Sequence, residues 1–198
     1  MSSTNRGAER RIDDAYMTPP WCVRRLLEVW RPRPGLKVEP AAGAGSIVRA
    51  IGGDDWLTYD VQPVPAGAAQ LPGAHTTVDF LEFAAHHCDT NVFSVITNPP
   101  YSLAEEFIRA CSEAYPDAEL AFLLRLGFLA SARRLGLWRD VGTPSVYVLP
   151  NRPSFTGKGT DSADYAWFVW TQPPGGPNAN GRGELAVLAD TPASERAS

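Results

Sequence analysis

Four short apolar segments each run into one polar side chain, and that recurrence constrains the fold more than anything else in the chain. Residues 36–39 end on Glu39, 56–59 run into Asp60, 76–78 into Asp79, and 92–97 into Asn98. Such runs, bounded by turn signals, read as buried strands. Helical patterns fall at 46–51, after Ser102 to about residue 115, and near 131–138. Strands alternating with helices through residue 140 predict a mainly parallel sheet covered on both faces. Two later runs, 145–149 and 165–170, have no helix between them and are expected as antiparallel neighbours across the loop 150–164. Ligands in open α/β sheets bind at the carboxyl ends of the strands. Glu39, Asp60, Asp79 and Asn98 therefore mark one candidate site.

The chain has 198 residues, enough for one domain with a sizeable core. Residues 1–14 are polar and charged and read as a loose arm, 15–172 as the folded domain, and 173–198 as a flexible tail with one strand at 184–188. No apolar run reaches membrane-spanning length, and no signal-peptide core is present. Cys22, Cys88 and Cys111 are odd in number and form no CxxC pair, as expected of reduced cytoplasmic thiols. His86-His87-Cys88-Asp89 lacks the spacing of converging ligands, so no metal is expected. The formal net charge is −4. A nucleic acid partner would need a local arginine patch, for which Arg125, Arg133, Arg134, Arg139 and Arg152 are available.

The strand 92–97 is cut off by Asn98-Pro99-Pro100-Tyr101. The Asn98 side-chain oxygen and the Pro99 carbonyl can both accept from one amino group, and Tyr101 can stack on the ring that carries it. Proline fixes φ and removes a competing N–H donor. Upstream, Glu39-Pro40-Ala41-Ala42-Gly43-Ala44-Gly45 joins the first strand to a helix. Gly43 and Gly45 let the backbone bend and approach a ligand closely. The dinucleotide fingerprint would need a third glycine where Val48 stands. Asp60 suits the two hydroxyls of a ribose. Asp79 can accept from an adenine amino group with Phe80 flanking the ring. Taken singly, Asp60 and Asp79 read rather as helix caps or solvated loop charges; it is their place at successive strand ends that makes them a site. Thr18, before Pro19 and Pro20, reads as a helix cap, and Ser102 with Glu105 as a capping box.

Asn98-Pro99-Pro100-Tyr101 is the tetrapeptide of amino-methyltransferases. With the glycine turn and Tyr16-Met17-Thr18-Pro19-Pro20 it makes the chain resemble the N6-adenine DNA methyltransferases, in their compact phage-type form. The resemblance covers residues 16–170 and implies the class I S-adenosylmethionine-dependent fold: a seven-stranded, Rossmann-like sheet closed by an antiparallel hairpin. It implies S-adenosylmethionine as cofactor, held by Thr18, Glu39, Pro40, Ala41, Gly43, Gly45, Asp60, Asp79 and Phe80. It implies Asn98, Pro99, Pro100 and Tyr101 as the catalytic set. It also implies DNA as partner, with Arg152 near the substrate and an aromatic residue, for which Phe155 is the candidate, sandwiching the extruded base opposite Tyr101. A hydrophobic loop anchor is the competing reading of Phe155. The family pattern is departed from in one respect: these residues leave no room for a separate target-recognition domain, so none is expected. The same tetrapeptide serves methyltransferases of RNA bases and of protein glutamine, which are the alternative substrates. A non-catalytic cofactor-binding protein is a further alternative.

Overall fold

The computed structural model describes residues 17–155, 159, 161–171 and 183–196. Its elements are α1 (Pro20–Val29), β1 (Leu36–Glu39), α2 (Ser46–Ile51), β2 (Trp56–Asp60), β3 (Ala74–Thr77), α3 (Phe80–Ala84), β4 (Val92–Thr97), α4 (Ala104–Ala114), β5 (Glu119–Arg125), α5 (Leu135–Val141), β6 (Ser145–Val148), β7 (Tyr165–Trp170), β8 (Leu185–Val187) and α6 (Ala193–Arg196). The strands form one sheet in the order β3-β2-β1-β4-β5-β7-β6-β8. Strands β3 to β5 run parallel, and β7 lies antiparallel between β5 and β6, so the expected hairpin is present. The sheet has eight strands rather than the expected seven, because β8 adds in parallel beside β6.

Two apolar layers hold the helices to opposite faces. On one, α3, α4 and α5 pack through Phe80, Phe107, Ile108, Leu137 and Val141 against Val38, Val95, Phe122 and Phe168. On the other, α1 and α2 pack through Trp21, Leu26, Ile47 and Val48 against Ile96, Leu123 and Trp167. The side-chain period of two along β5 and β7 sends successive residues to alternate layers. Both central strands are therefore apolar almost throughout, as strands covered on two faces must be.

Three local expectations differ. The third strand ends at Thr77, and Asp79 caps the short α3 by accepting from the Leu81 N–H at 3.0 Å. Thr18 does not cap α1: the N-cap position is Pro19, and no side chain caps the helix. The Ser102/Glu105 capping box does not form either. After the two prolines, the Leu103 N–H bonds the Pro100 carbonyl at 2.9 Å, making Tyr101–Leu103 a 3₁₀ turn, so α4 starts only at Ala104. Glu105 pairs with Arg109 one turn on, at 3.2 Å.

The C-terminal segment is joined to the body. Leu188 N–H bonds the Val148 carbonyl at 2.9 Å. Arg25 of α1 bonds the Thr191 hydroxyl at 2.9 Å and the Asp190 carbonyl at 3.0 Å. Asn151 bonds Asp190 at 2.8 Å and the Thr191 N–H at 2.7 Å.

Candidate active site

The parallel strands β1, β2 and β4 bring Glu39, Asp60 and Asn98 to one edge of the sheet, with Asp79 just beyond β3. Glu39 is 2% exposed. Its carboxyl meets the backbone N–H of Val48 in the first turns of α2, and Oε2 has no hydrogen-bond partner among the described residues. Burial pushes the Glu39 carboxyl well above the usual carboxylate range. The Val48 N–H opposes this, the Asp60 charge adds to it, and Arg49 opposes it again. A cation placed there would relieve both the burial of the charge and the unfilled acceptor.

The turn between β1 and α2 carries two glycines in the left-handed region, Gly43 at φ 51° and Gly45 at φ 77°. Their surroundings differ. A Cβ on Gly43 would meet nothing within 4 Å, so this backbone faces open space. A Cβ on Gly45 would overlap the side chain of Leu71. Leu71 is 5% exposed and belongs to the loop between β2 and β3. Arg49 ties that loop to the turn, donating to the carbonyls of Ala44 and Ala69. Asp60 braces the turn from β2: Oδ2 accepts from the Gly43 N–H at 2.8 Å and Oδ1 from the Gln62 N–H at 2.9 Å. Each oxygen keeps a second lone pair.

Phe80 does not flank this crevice. Its ring is 2% exposed and packs with Phe107 (centroids 5.8 Å, interplanar 22°), Tyr59 and Tyr115. Pro40 is buried at the end of β1, and Ala41 is half-buried against the core beside α3 and α4.

At Asn98 the structure joins two motifs that lie far apart in the chain. Asn98 Nδ2 donates to Thr18 Oγ1 at 3.1 Å. Thr18 is 4% exposed. With the amide nitrogen so engaged, Asn98 Oδ1 is buried and receives no hydrogen bond from any described residue. No backbone donor among the described residues reaches the Pro99 carbonyl. An unfilled buried acceptor costs about 1–3 kcal/mol.

Tyr101 sits against the end of this pair. Burial, then the neighbouring Tyr165 hydroxyl, pushes its phenol far above the ordinary value, with Arg125 and Asn98 opposing. Its ring meets Tyr165 (centroids 5.4 Å) and Phe155 (6.4 Å, interplanar 61°), and the Arg125 guanidinium lies 5.0 Å from its centroid. Phe155 is 6% exposed and also meets Tyr165 edge-on at 5.0 Å. The two rings expected to sandwich a base thus touch edge to face, and the slot between them is closed. Arg152 is bound to Asp164 at 2.8 Å at the surface.

Tyr165 is the residue of this cluster that the sequence reading missed. Its hydroxyl donates to Asp161 at 2.9 Å and accepts from Arg125 Nε at 3.4 Å. The pairing of Arg125 with Tyr165 across β5 and β7 puts it there. The available signal was its place as the first residue of β7.

No protein-family model and no curated protein matches the sequence. Solved structures do match in shape. The chain aligns over 94% of its length with 70% of a protein from Listeria monocytogenes assigned to the class I S-adenosylmethionine-dependent methyltransferases, at TM-score 0.63 and 14% identity. The architecture is that of the class I methyltransferases. A protein from Vibrio vulnificus assigned as the modification subunit of a type I restriction enzyme aligns over 92% of this chain and 51% of its own, at TM-score 0.59 and 15% identity. This chain thus spans about half the length of that subunit. A 23S rRNA methyltransferase aligns over 76% of this chain and 68% of its own, at TM-score 0.50 and 18% identity. Among the described residues, no helix is long and apolar enough to cross a membrane.

The residues present suit S-adenosylmethionine. The open backbone face of Gly43 admits a ligand, the buried Glu39 oxygen awaits a cation, and Asp60 keeps free lone pairs beside both.

Proposed function

We propose that the chain transfers a methyl group from S-adenosylmethionine to the exocyclic N6 of adenine in DNA. One observation carries the proposal: the buried oxygen of Asn98 has no donor among the described residues, while its amide nitrogen is held by Thr18. An amino group delivered to the end of β4 would fill that acceptor and the Pro99 carbonyl beside it. The amino nitrogen of adenine is conjugated with its ring and is a poor nucleophile. Two acceptors fixed in advance pull it toward tetrahedral geometry and localise its lone pair, which is electrostatic preorganisation. The bound cofactor would present its methyl on a sulfonium, so transfer requires alignment. Glu39, Gly43, Asp60 and Asp79 would hold the cofactor, with Thr18 between it and Asn98.

Tyr101 and Phe155 are assigned to the faces of the extruded base. For a base to enter, the two rings must part from their edge contact. Extrusion from a duplex costs a few kcal/mol, which stacking on two rings offsets. An RNA base is the second reading, favoured by the likeness to the 23S rRNA methyltransferase, and a protein glutamine is the third.

The deciding experiment is tritiated methyl transfer to DNA, RNA and protein, followed by nucleoside analysis. Label in N6-methyladenine of DNA is expected, falling about 10²–10³-fold in Asn98→Ala with cofactor binding retained. Label confined to RNA or to protein would replace the substrate. Full activity of Asn98→Ala would defeat the mechanism.

A further inference from the structure

A cavity of about 400 Å³ opens directly beside Tyr101, floored by Leu124, Gly127 and Phe128 and walled by Arg125 and Arg134. Among the described residues, those arginines are its only charged lining. Elsewhere arginines meet carboxylates: Arg25 with Glu28, Arg109 with Asp140, Arg152 with Asp164. Neither Arg125 nor Arg134 has an ion pair with a described residue. Arg125 and Asp161 are bridged by the Tyr165 hydroxyl and attract each other across it without a direct ion pair.

Both guanidinium groups are nevertheless held. Arg125 lies over Tyr101 at 5.0 Å. Arg134 lies over Phe128 at 4.1 Å and bonds its carbonyl at 3.1 Å. Planar cations fixed on aromatic rings keep edge N–H groups for phosphate and offer a face for a nucleobase. A smaller adjoining cavity shares Tyr101, Phe128 and Arg134 and reaches Arg133, but Glu105 and Glu106 close its far side. Anion binding is therefore directed to the Arg125–Arg134 end.

We propose that this cavity is a second nucleotide subsite, taking the nucleotide next to the target base with its phosphate between Arg125 and Arg134. The inference rests on the proposed function for the target base at Asn98. A strand whose target base reaches Asn98 past Tyr101 runs on into a cavity that shares Tyr101. The volume falls in the range of small-ligand pockets rather than that of a lone phosphate. In a chain of net charge −4, such a site concentrates the attraction for a polyanion where the chemistry occurs.

The test is fluorescence anisotropy of single-adenine DNA oligonucleotides across a salt series, with an RNA of the same sequence in parallel. Arg125→Gln and Arg134→Gln should each weaken binding about tenfold and lower the salt slope by about 1, whereas Arg31→Gln, at the opposite edge of the sheet, should not. Loss of the Arg134 stack could disturb the fold, so a second measurement leaves the protein intact. An oligonucleotide with one methylphosphonate beside the target adenine should bind the unmodified protein more weakly, and the two variants no more weakly than unmodified oligonucleotide does. Stronger, arginine-dependent binding of the RNA would keep the subsite and change the strand it takes. Salt slopes equal to that of Arg31→Gln, or indifference to the methylphosphonate, would overturn the subsite even if DNA adenine is methylated. Arginine-dependent binding without adenine methylation would overturn the functional reading alone.

Discussion

Thr18 and Asn98, eighty positions apart, share a hydrogen bond in which the asparagine amide donates and the threonine hydroxyl accepts, at 3.1 Å. The bond fixes which end of the carboxamide faces inward. Reversed, Asn98 would offer N–H groups to an incoming amino donor and repel it. Thr18→Val should therefore leave the amide of Asn98 unpaired and lower kcat about 10-fold, equivalent to about 1.4 kcal/mol, while Thr18→Ser keeps most of it. The Asn98 side-chain amide resonance should shift in Thr18→Val and hold in Thr18→Ser. Equal kcat for both variants with an unmoved resonance would remove Thr18 from positioning Asn98.

The two glycines of the turn should separate binding from stability. Alanine at Gly43 meets left-handed strain of about 1 kcal/mol but no neighbour, so its methyl group protrudes into the open space above the turn. Cofactor affinity by calorimetry should drop about 10-fold or more, with a small loss of Tm. Alanine at Gly45 collides with Leu71, so stability should fall by about 2 kcal/mol or more, and Leu71→Ala should restore part of it. The opposite pattern, with Gly43→Ala the unstable variant, would contradict the assignment of open space to a ligand.

Glu39 predicts a proton linkage. Folding raises its pKa, so the folded chain holds this proton more tightly than the unfolded chain. The stability contributed is full below about pH 4.3, the ordinary glutamate value, and is lost as pH rises through the raised value. Glu39→Gln should flatten that decline in urea midpoints measured from pH 4 to 8. A cationic ligand should expel the proton, giving binding enthalpies that differ between buffers of different ionisation enthalpy. Buffer-independent enthalpies would show that Glu39 is not the group facing the cation.

Tyr101→Ala should impair transfer to duplex DNA more than to single strands, because the unpaired base has already met part of the extrusion cost. Loss of one stacking platform costs about 1–3 kcal/mol. Defined oligonucleotides in both forms, assayed by methyl incorporation, give the ratio. Equal losses on both forms would reject the clamp and leave the acceptor pair at Asn98 untouched.

The strand ends were legible because the physics there is local. Apolar runs of fixed period stop at Gly, Pro or a carboxylate, and β1, β4 and β7 lie where those runs lie. Features made by tertiary contact were not legible. Thr18 had the form of a cap, but Pro19 and Pro20 start α1 without it, and the buried partner it found is in another strand. Phe80 follows a carboxylate at a strand end, yet it opens α3 with Ala84 one turn later on the same face. That spacing commits its ring to the core shared with Phe107. Leu71 lies in a stretch of Pro, Gly and Ala with no period, so nothing marked it as the side chain covering Gly45.

The bonds from Arg25 to Asp190 and Thr191 bear on how the chain can be cut or fused. They clamp α1 from behind, and α1 begins two residues after Thr18. Removing residues 184–196 would bare the edge of β6 and free the back of that helix at once. The damage would reach the acceptor pocket through the Thr18 hydroxyl, which holds the Asn98 amide.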